Sequence, residues 1–227
     1  MSVALVSFLR LARSRSAWLT TLGWGTVALA SAWVQRSHGS PHGADHALDV
    51  YAAVAVPLLV YGVVAAGLAH QGLAASGRSL VRLGATPLRV AGATVLVTMF
   101  ASALSCGAIG ALVVTLGHGA LDPPRGLDAL ETLAFGAIAG ATYTAYFMVG
   151  AAALGGLWGP RLLLLVDWLV GSGVGLGAVL TPRAHLRNLL GGEAPFDLAP
   201  WESLAALVIL ALVCATAASR WAAKARS

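Results

Sequence analysis

Residues 90–116 of this chain read VAGATVLVTMFASALSCGAIGALVVTL. This stretch contains no Asp, Glu, Lys or Arg, and it exceeds the roughly 20 apolar residues that an α-helix needs to cross a bilayer. The whole chain has the same character, since 58% of its 227 residues are apolar and only 10% are charged. A soluble domain carries about 25% charged residues, so the sequence predicts an all-α integral membrane protein.

Similar apolar runs recur along the chain and are separated by short polar segments. They predict a single transmembrane domain over residues 1–227 with six spans, at about 17–34, 50–69, 90–116, 132–154, 162–180 and 204–218. Ahead of the first span, residues 3–15 place apolar side chains at helical spacing with Ser7 and Arg10 opposite them. That pattern predicts an amphipathic helix lying in the membrane interface.

The distribution of charge predicts the orientation, because Lys and Arg accumulate on the cytosolic side of membrane proteins. With six spans and a cytosolic N-terminus, ten of the 14 basic residues fall in cytosolic segments: Arg10, Arg13, Arg15, Arg78, Arg82, Arg89, Arg161, Arg220, Lys224 and Arg226. The outer segments hold eight of the nine acids: Asp45, Asp49, Asp122, Asp128, Glu131, Glu193, Asp197 and Glu202. Both termini are therefore predicted to be cytosolic. The basic excess is explained by orientation, so no nucleic-acid partner is expected.

The polar segment between the second and third spans carries a short basic helix in this prediction. Ser76 is expected to cap it, Gly84 to end it, and Thr86 with Pro87 to start the next helix. The resulting helix of about two turns, over residues 76–84, places Arg78 and Arg82 one turn apart beside an apolar strip of Leu80, Val81 and Leu83. It serves either as a basic interfacial linker or as a docking helix for a cytosolic partner.

The run from Gly77 to Pro87, GRSLVRLGATP, together with the interfacial helix, the six spans and the semi-apolar outer segment Leu186–Leu190, resembles the permease subunit of ABC-2 type transporters. The resemblance implies an exporter that works as a homodimer or heterodimer of permease chains with a separate P-loop ATPase subunit. It further implies that five residues dock on the ATPase: Arg78, Ser79, Leu80, Arg82 and Leu83. No catalytic residue, metal or cofactor is expected in the permease itself.

Two features of composition bear on the source of energy and on the location of the protein. The single lysine is Lys224, near the C-terminus, and a P-loop needs a Lys directly after its glycines. ATP hydrolysis is therefore expected in a partner chain, and this chain is not predicted to be an enzyme. The abundance of Arg, Ala and Gly is typical of a GC-rich genome, which favours a bacterial inner membrane as the location.

Asp167 is the only carboxylate within a predicted span. An acid near the centre of a membrane helix is costly, so it should face protein or water. The fourth span offers hydroxyl partners at Thr142, Tyr143, Thr144 and Tyr146. Asp167 then acts either as a structural hydrogen-bonding group or, with Tyr143 and Tyr146, as part of a translocation path or proton site.

Two further patterns leave alternatives open. His38, His42 and His46 recur every four residues, but the intervening Gly39 and Pro41 favour a solvated loop over a metal site. Glycines favour close helix packing, or else a locally unwound helix, at Gly136 and Gly140 of the fourth span and at Gly171, Gly173, Gly175 and Gly177 of the fifth.

Three other function classes compete with the permease. An ion-coupled secondary transporter would use Asp167 as its coupling site. An intramembrane serine protease has a loose motif in residues 74–77, AASG, but every histidine lies outside the spans or at their ends. The third class is an accessory membrane subunit without transport activity.

Overall fold

The computed structural model describes residues 2–69 and 71–225, so that His70 and Arg226, two residues of the predicted cytosolic segments, lie outside it. Within those residues all regular structure is helical. The α-helices are α1 (Val3–Ala12), α2 (Arg15–Ser37), α3 (Gly43–Val50), α4 (Val56–Gly67), α5 (Leu73–Ser76), α6 (Arg78–Arg82), α7 (Pro87–Gly117), α8 (Arg125–Ala153), α9 (Trp158–Val170), α10 (Pro182–Leu189) and α11 (Pro200–Lys224).

Four helices are long and apolar enough to cross a membrane: Gly43–Gly67, Pro87–Gly117, Arg125–Ala153 and Pro200–Lys224. They contain the predicted third and sixth spans, and they match the predicted second and fourth spans up to Gly67 and Ala153. The first of them joins α3 to α4 through a π-helical turn at Tyr51–Ala55, just before Pro57, whose missing N–H interrupts the regular hydrogen-bond ladder. The described part of the chain is therefore all-helical, with four candidate membrane-spanning helices.

The predicted first and fifth spans have a different character. Residues 17–34 lie within α2, whose 23 residues are long enough to cross but less hydropathic than the other four helices. The fifth span is not one helix, because α9 ends at Val170 and residues 171–175 are unwound before a 3₁₀ turn at Leu176–Leu180. A continuous helix over 162–180 is therefore wrong, and the four alternating glycines mark the break.

Helices α7 and α8 form the centre of the bundle, with α2 against α7, and α4 and α11 against α8. The close approach of the two central helices depends on the Gly136 and Gly140 pair, where a Cβ atom would lie 3.1 Å from Cys106 O and 2.6 Å from Ser102 O respectively. The predicted packing role of this glycine pair is thus confirmed. Tyr51 fills the space beside Gly136 and donates a hydrogen bond to Cys106 O (2.7 Å).

Apolar side chains cover the outside of the bundle as well as its inside. Large exposed residues lie on three helices: Leu19 and Leu22 of α2, Leu96 and Phe100 of α7, and Ile209 and Leu212 of α11. An apolar surface of this kind suits lipid rather than water.

Segments of like charge meet at the same end of the bundle. At one end, which we call the basic end, the polypeptide at Gly72 lies against the α8–α9 turn at Gly156, and the start of α7 lies beside the end of α11. The opposite end, the acidic end, joins the α2–α3 loop to the α7–α8 loop through a hydrogen bond from Leu121 N to Pro41 O (2.9 Å). Because successive long helices run in opposite directions, most of the arginines lie at the basic end and most of the acids lie at the acidic end.

Helix α10 is held on α11 at the acidic end by a buried polar network. Asn188 Nδ2 donates to Ser203 Oγ (2.8 Å) and Leu198 O (2.9 Å), and Ser203 Oγ lies 3.0 Å from His185 Nδ1. The other ring nitrogen, His185 Nε2, lies 2.8 Å from Val179 O. These contacts satisfy a neutral imidazole that donates from Nε2 and accepts at Nδ1.

The N-terminal helix α1 ends at Ala12, with Arg13 as its C-terminal cap, and so is shorter than the predicted 3–15. The helix is also oriented differently from an interfacial helix whose polar face contacts water. Ser7 and Leu11 are buried against the bundle, whereas Leu5 and Phe8 are exposed. The polar face of α1 therefore contacts protein, and its apolar face is free to contact lipid.

Candidate functional site

The segment between the second and third predicted spans folds as two short helices in place of one. Gly77, with φ −110° and ψ 7°, separates α5 from α6. Ser76 does not cap α6 as predicted, because its hydroxyl donates to Leu73 O within its own turn (3.0 Å). Gly84 follows in the left-handed region at φ +91°, and α7 starts with Thr86 as N-cap and Pro87 as its first residue, both as predicted.

Helix α5 is anchored to the bundle. Leu73 is fully buried, and Gly72 lies so close to the α8–α9 turn that a Cβ atom would be 2.8 Å from Gly156 N. The Arg10 guanidinium of α1 donates to Ser76 O (2.8 Å) and to Gly67 O (2.6 Å). Because both carbonyls lie at helix C-termini, the cation also complements their negative dipole ends.

Helix α6, in contrast, projects from the basic end. Of the five predicted docking residues, Arg78, Ser79 and Arg82 are exposed, Leu80 is partly buried, and Leu83, directly after α6, is 84% exposed. Within residues 2–69 and 71–225, the guanidinium groups of Arg78 and Arg82 have no hydrogen-bond or ion-pair partner. Helix α6 and the residue after it thus present two unpaired cations and an exposed leucine beside the anchored helix α5.

Asp167 lies at the second predicted site, near the end of α9, and is completely buried. Tyr143 Oη donates to its Oδ2 (2.8 Å), and the backbone N–H of Arg183, in the first turn of α10, donates to its Oδ1 (3.2 Å). The expectation that a hydroxyl of the fourth span satisfies this acid is confirmed for Tyr143. Thr142 and Thr144 instead donate to carbonyls of their own helix, Ile138 O and Gly140 O.

The contacts around Asp167, which we call the Asp167 junction, cap the helix ends on both sides of the unwound residues 171–175. Asp167 accepts at the N-terminus of α10, while Arg183 donates to Trp168 O (3.4 Å) and Arg187 donates to Ser172 O (3.2 Å) near the end of α9. An acid at a helix start and cations at a helix end each oppose the local dipole. The observed geometry therefore holds α9, the unwound residues and α10 together.

The remaining predicted residue of this site, Tyr146, is buried beside Phe147 at a ring-centroid distance of 5.8 Å. Within the described part of the chain, no hydrogen bond joins its hydroxyl to Asp167. The structure thus brings Tyr143 and Asp167 together but leaves Tyr146 as a neighbour of the pair.

Three structural contributors could not be identified from the sequence. Arg10 was assigned to the polar face of α1, with no signal that it would reach two distant carbonyls. Arg183 lies beyond the fifth predicted span in the sequence, and only the return of α10 toward Asp167 reveals its role. Asp122 was counted among the outer acids, whereas the fold places it beside His42 (4.0 Å from Oδ1 to Nδ1).

Comparison with protein-family models, with curated proteins and with solved structures finds no significant match to this chain.

Proposed function

We propose that this chain is the membrane-spanning permease subunit of an ATP-driven exporter of the ABC-2 type, energised by a separate P-loop ATPase. The observation that carries the proposal is the α5–α6 segment, Leu73–Arg82. Its first helix is anchored by Arg10 and Leu73, and its second presents Arg78, Arg82 and the adjoining Leu83 without a cover. A short helix of this kind is not stable in water alone, so its exposed face is suited to a partner surface.

The proposed coupling between the ATPase and the membrane helices depends on the contacts that anchor α5. A force applied to α6 reaches Gly77, then α5, and from there the ends of α4 and α1 through the two Arg10 hydrogen bonds. Closure of two ATPase subunits on nucleotide would move two such segments, one on each permease chain. That motion would shift the permease pair between inward-facing and outward-facing states.

In this proposal the chain crosses the membrane six times, with α2 and the α9 region as the two additional crossings. Helix α2 is about 34 Å long at 1.5 Å per residue and exposes Trp18 and Trp33 near its two ends. Trp residues are enriched at both membrane interfaces, so this spacing favours a spanning position. The basic end faces the cytosol and contains both termini, in the inner membrane of a bacterium.

The Asp167 junction has a positioning role in this mechanism. Both carboxylate oxygens accept hydrogen bonds from groups of the same chain, Tyr143 Oη and Arg183 N. A carboxylate held in this way stabilises the α9–α10 return against which the translocation path forms. The competing ion-coupled carrier requires Asp167 to exchange protons with water during transport.

Purification of the full chain from its native membranes in mild detergent tests the proposal. We expect a protein with Walker motifs to co-purify and to be identified by mass spectrometry, and Leu83→Asp to abolish its recovery. Leu127→Asp is the matched control, because Leu127 is also exposed but lies at the acidic end. Proton-driven flux by this chain alone in proteoliposomes, with no ATPase recovered, would replace the permease with the carrier.

A further inference from the structure

A second cluster of polar side chains lies at the acidic end, far from the α5–α6 segment. It forms where the α2–α3 loop meets the α7–α8 loop. The two loops are built together, since Leu121 N donates to Pro41 O (2.9 Å) and a Cβ atom on Gly117 would lie 3.2 Å from Gly43 O. A side chain on Gly119 would overlap the carbonyls of Ser40 and Pro41.

Asp122 is fixed at the centre of this junction. Its Oδ2 accepts hydrogen bonds from Gly119 N (2.7 Å) and Ala44 N (2.8 Å), and its side chain is 0% exposed. The second oxygen, Oδ1, is buried and has no hydrogen-bond partner among the described residues. Because a buried, unsatisfied carboxylate oxygen costs free energy, Oδ1 is suited to accept a cation or a donor.

The free oxygen faces two other potential metal ligands. His42 Nδ1 lies 4.0 Å from Asp122 Oδ1 and 3.6 Å from Asp45 Oδ2, both too long for a hydrogen bond. The three ligand atoms lie within 4.8 Å of one another. Zinc bonds of about 2.0–2.2 Å in tetrahedral geometry place ligand atoms about 3.4 Å apart. Since His42 and Asp45 are 50% and 56% exposed, small rotations of these side chains close the difference.

The electrostatic surroundings favour a cation. Asp128 lies within Coulombic range of both Asp45 and Asp122, and its Oδ2 is another buried oxygen without a partner in the described chain. Asp45, Asp122 and Asp128 therefore concentrate negative charge near His42, and a second imidazole, His118, lies within Coulombic range of Asp128. Such a cluster attracts a divalent ion from solution.

We propose that His42, Asp45 and Asp122 bind a divalent transition-metal ion of the zinc type, with water completing its coordination. One imidazole nitrogen with two carboxylates is a ligand set for zinc, whereas Ca²⁺ and Mg²⁺ prefer oxygen ligands alone. The histidine ladder of the sequence is not the site. His38 Nδ1 is already bound to Val34 O (2.8 Å), and His46 lies a turn further along α3. The bound ion would clamp the α2–α3 loop to the α7–α8 loop.

The test is a zinc titration of the full chain in detergent after removal of bound metal with a chelator. We expect one saturable Zn²⁺ per chain, a higher melting temperature with zinc, and no binding of Ca²⁺ or Mg²⁺ at the same concentration. His42→Gln and Asp45→Asn should each weaken binding by more than about tenfold, since even outer-shell partners of a metal ligand are worth that much. Both residues are half-exposed, so neither change threatens folding as Asp122→Asn would.

His38→Ala and His46→Ala are the matched controls and should bind zinc as the unchanged chain does. X-ray absorption should report one nitrogen ligand from imidazole, with oxygen for the rest. No stoichiometric zinc binding, or equal losses in His38→Ala and His42→Gln, would overturn the site. The titration requires neither an ATPase nor transport, so its outcome is independent of the proposed permease function.

Discussion

At the scale of single residues, the Asp167 junction depends on one hydroxyl. Tyr143 Oη is the side-chain donor to Asp167, and the only other donor described for this carboxylate is Arg183 N. The sequence identified Asp167 as an acid in need of a partner and proposed four hydroxyls. It could not select among them, because the choice depends on the rotation of α8 relative to α9.

Removal of that hydroxyl should destabilise the protein. Tyr143→Phe leaves Asp167 Oδ2 buried without its partner, which typically costs about 1–3 kcal/mol. We expect a lower melting temperature in detergent. Tyr146→Phe is the control, since the Tyr146 hydroxyl does not bond to Asp167, and it should lower the melting temperature less than Tyr143→Phe does. Equal losses in the two variants would contradict the assigned hydrogen bond.

Asp167→Asn separates the structural role from the transport role. Asparagine retains an acceptor for Arg183 N, and its amide can donate to Tyr143 Oη, so the junction should persist. For the proposed permease, we expect ATP-driven transport to continue with an unchanged pH dependence. Loss of transport in a variant that melts normally would instead identify Asp167 as a proton or substrate site.

His185 makes the stability of the α10–α11 contact dependent on pH. Burial lowers the pKa of His185 below its ordinary value, and the hydrogen bond to Val179 O only partly opposes this. The folded chain therefore binds fewer protons than the unfolded chain as pH falls through about 6.5, and stability decreases with acidification. The melting temperature should fall between about pH 7.5 and pH 5.5, and His185→Gln should reduce that fall. His38→Gln, at an exposed histidine, should not.

Among helix termini, prediction succeeded at the start of α7 but not at Ser76, which does not cap α6. Thr86 and Pro87 start α7, and Gly84 ends the preceding turn, as the backbone preferences of proline and glycine favour. A continuous helix over the fifth span was wrong, whereas the alternative of local unwinding at the glycines was correct, because apolar runs predict length but not continuity. Four glycines lower the cost of unwinding there, and only contacts from α10 to Asp167 and Trp168 O decide that the helix ends at Val170.

The two hydrogen bonds of Arg10 set the order of the α5–α6 segment. Arg10→Ala removes both, and hydrogen bonds to charged groups contribute about 1.5–3 kcal/mol each. We expect α5 to open more often, so that trypsin cleaves after Arg78 and Arg82 faster than in the unchanged chain. Arg13→Ala, at an exposed arginine one turn away, should leave the cleavage rate unchanged. Equal rates in all three proteins would mean that Arg10 does not anchor the segment.

At the scale of the whole molecule, the separation of charge predicts the orientation. Single cysteines at two exposed positions test it, with Ser79→Cys at the basic end and Glu193→Cys at the acidic end. The native Cys106 and Cys214 are buried and should remain silent. A membrane-impermeant maleimide should label Glu193→Cys in intact cells and Ser79→Cys only after lysis. The reverse pattern would invert the topology.

The sequence predicted the helical class and the four candidate membrane-spanning helices well, because length and hydropathy decide them. It could not predict which loops meet. Leu121 and Pro41 are far apart in the chain, and their contact depends on how α2, α3, α7 and α8 pack. For the same reason the partners of Asp122 and Arg10 appear only in three dimensions, where distant segments share one end of the bundle.

The shortness of α9 has a consequence for the surrounding lipid. Its 13 residues extend about 20 Å, whereas the hydrocarbon layer is about 30 Å thick. Leu162, Leu165 and Leu169 are exposed along this helix, so in the proposed six-span arrangement acyl chains beside it would meet hydrophobic mismatch. Local thinning of the bilayer would relieve that mismatch, so for this arrangement we expect vesicles of short-chain phospholipid to accommodate the protein more readily than vesicles of long-chain phospholipid.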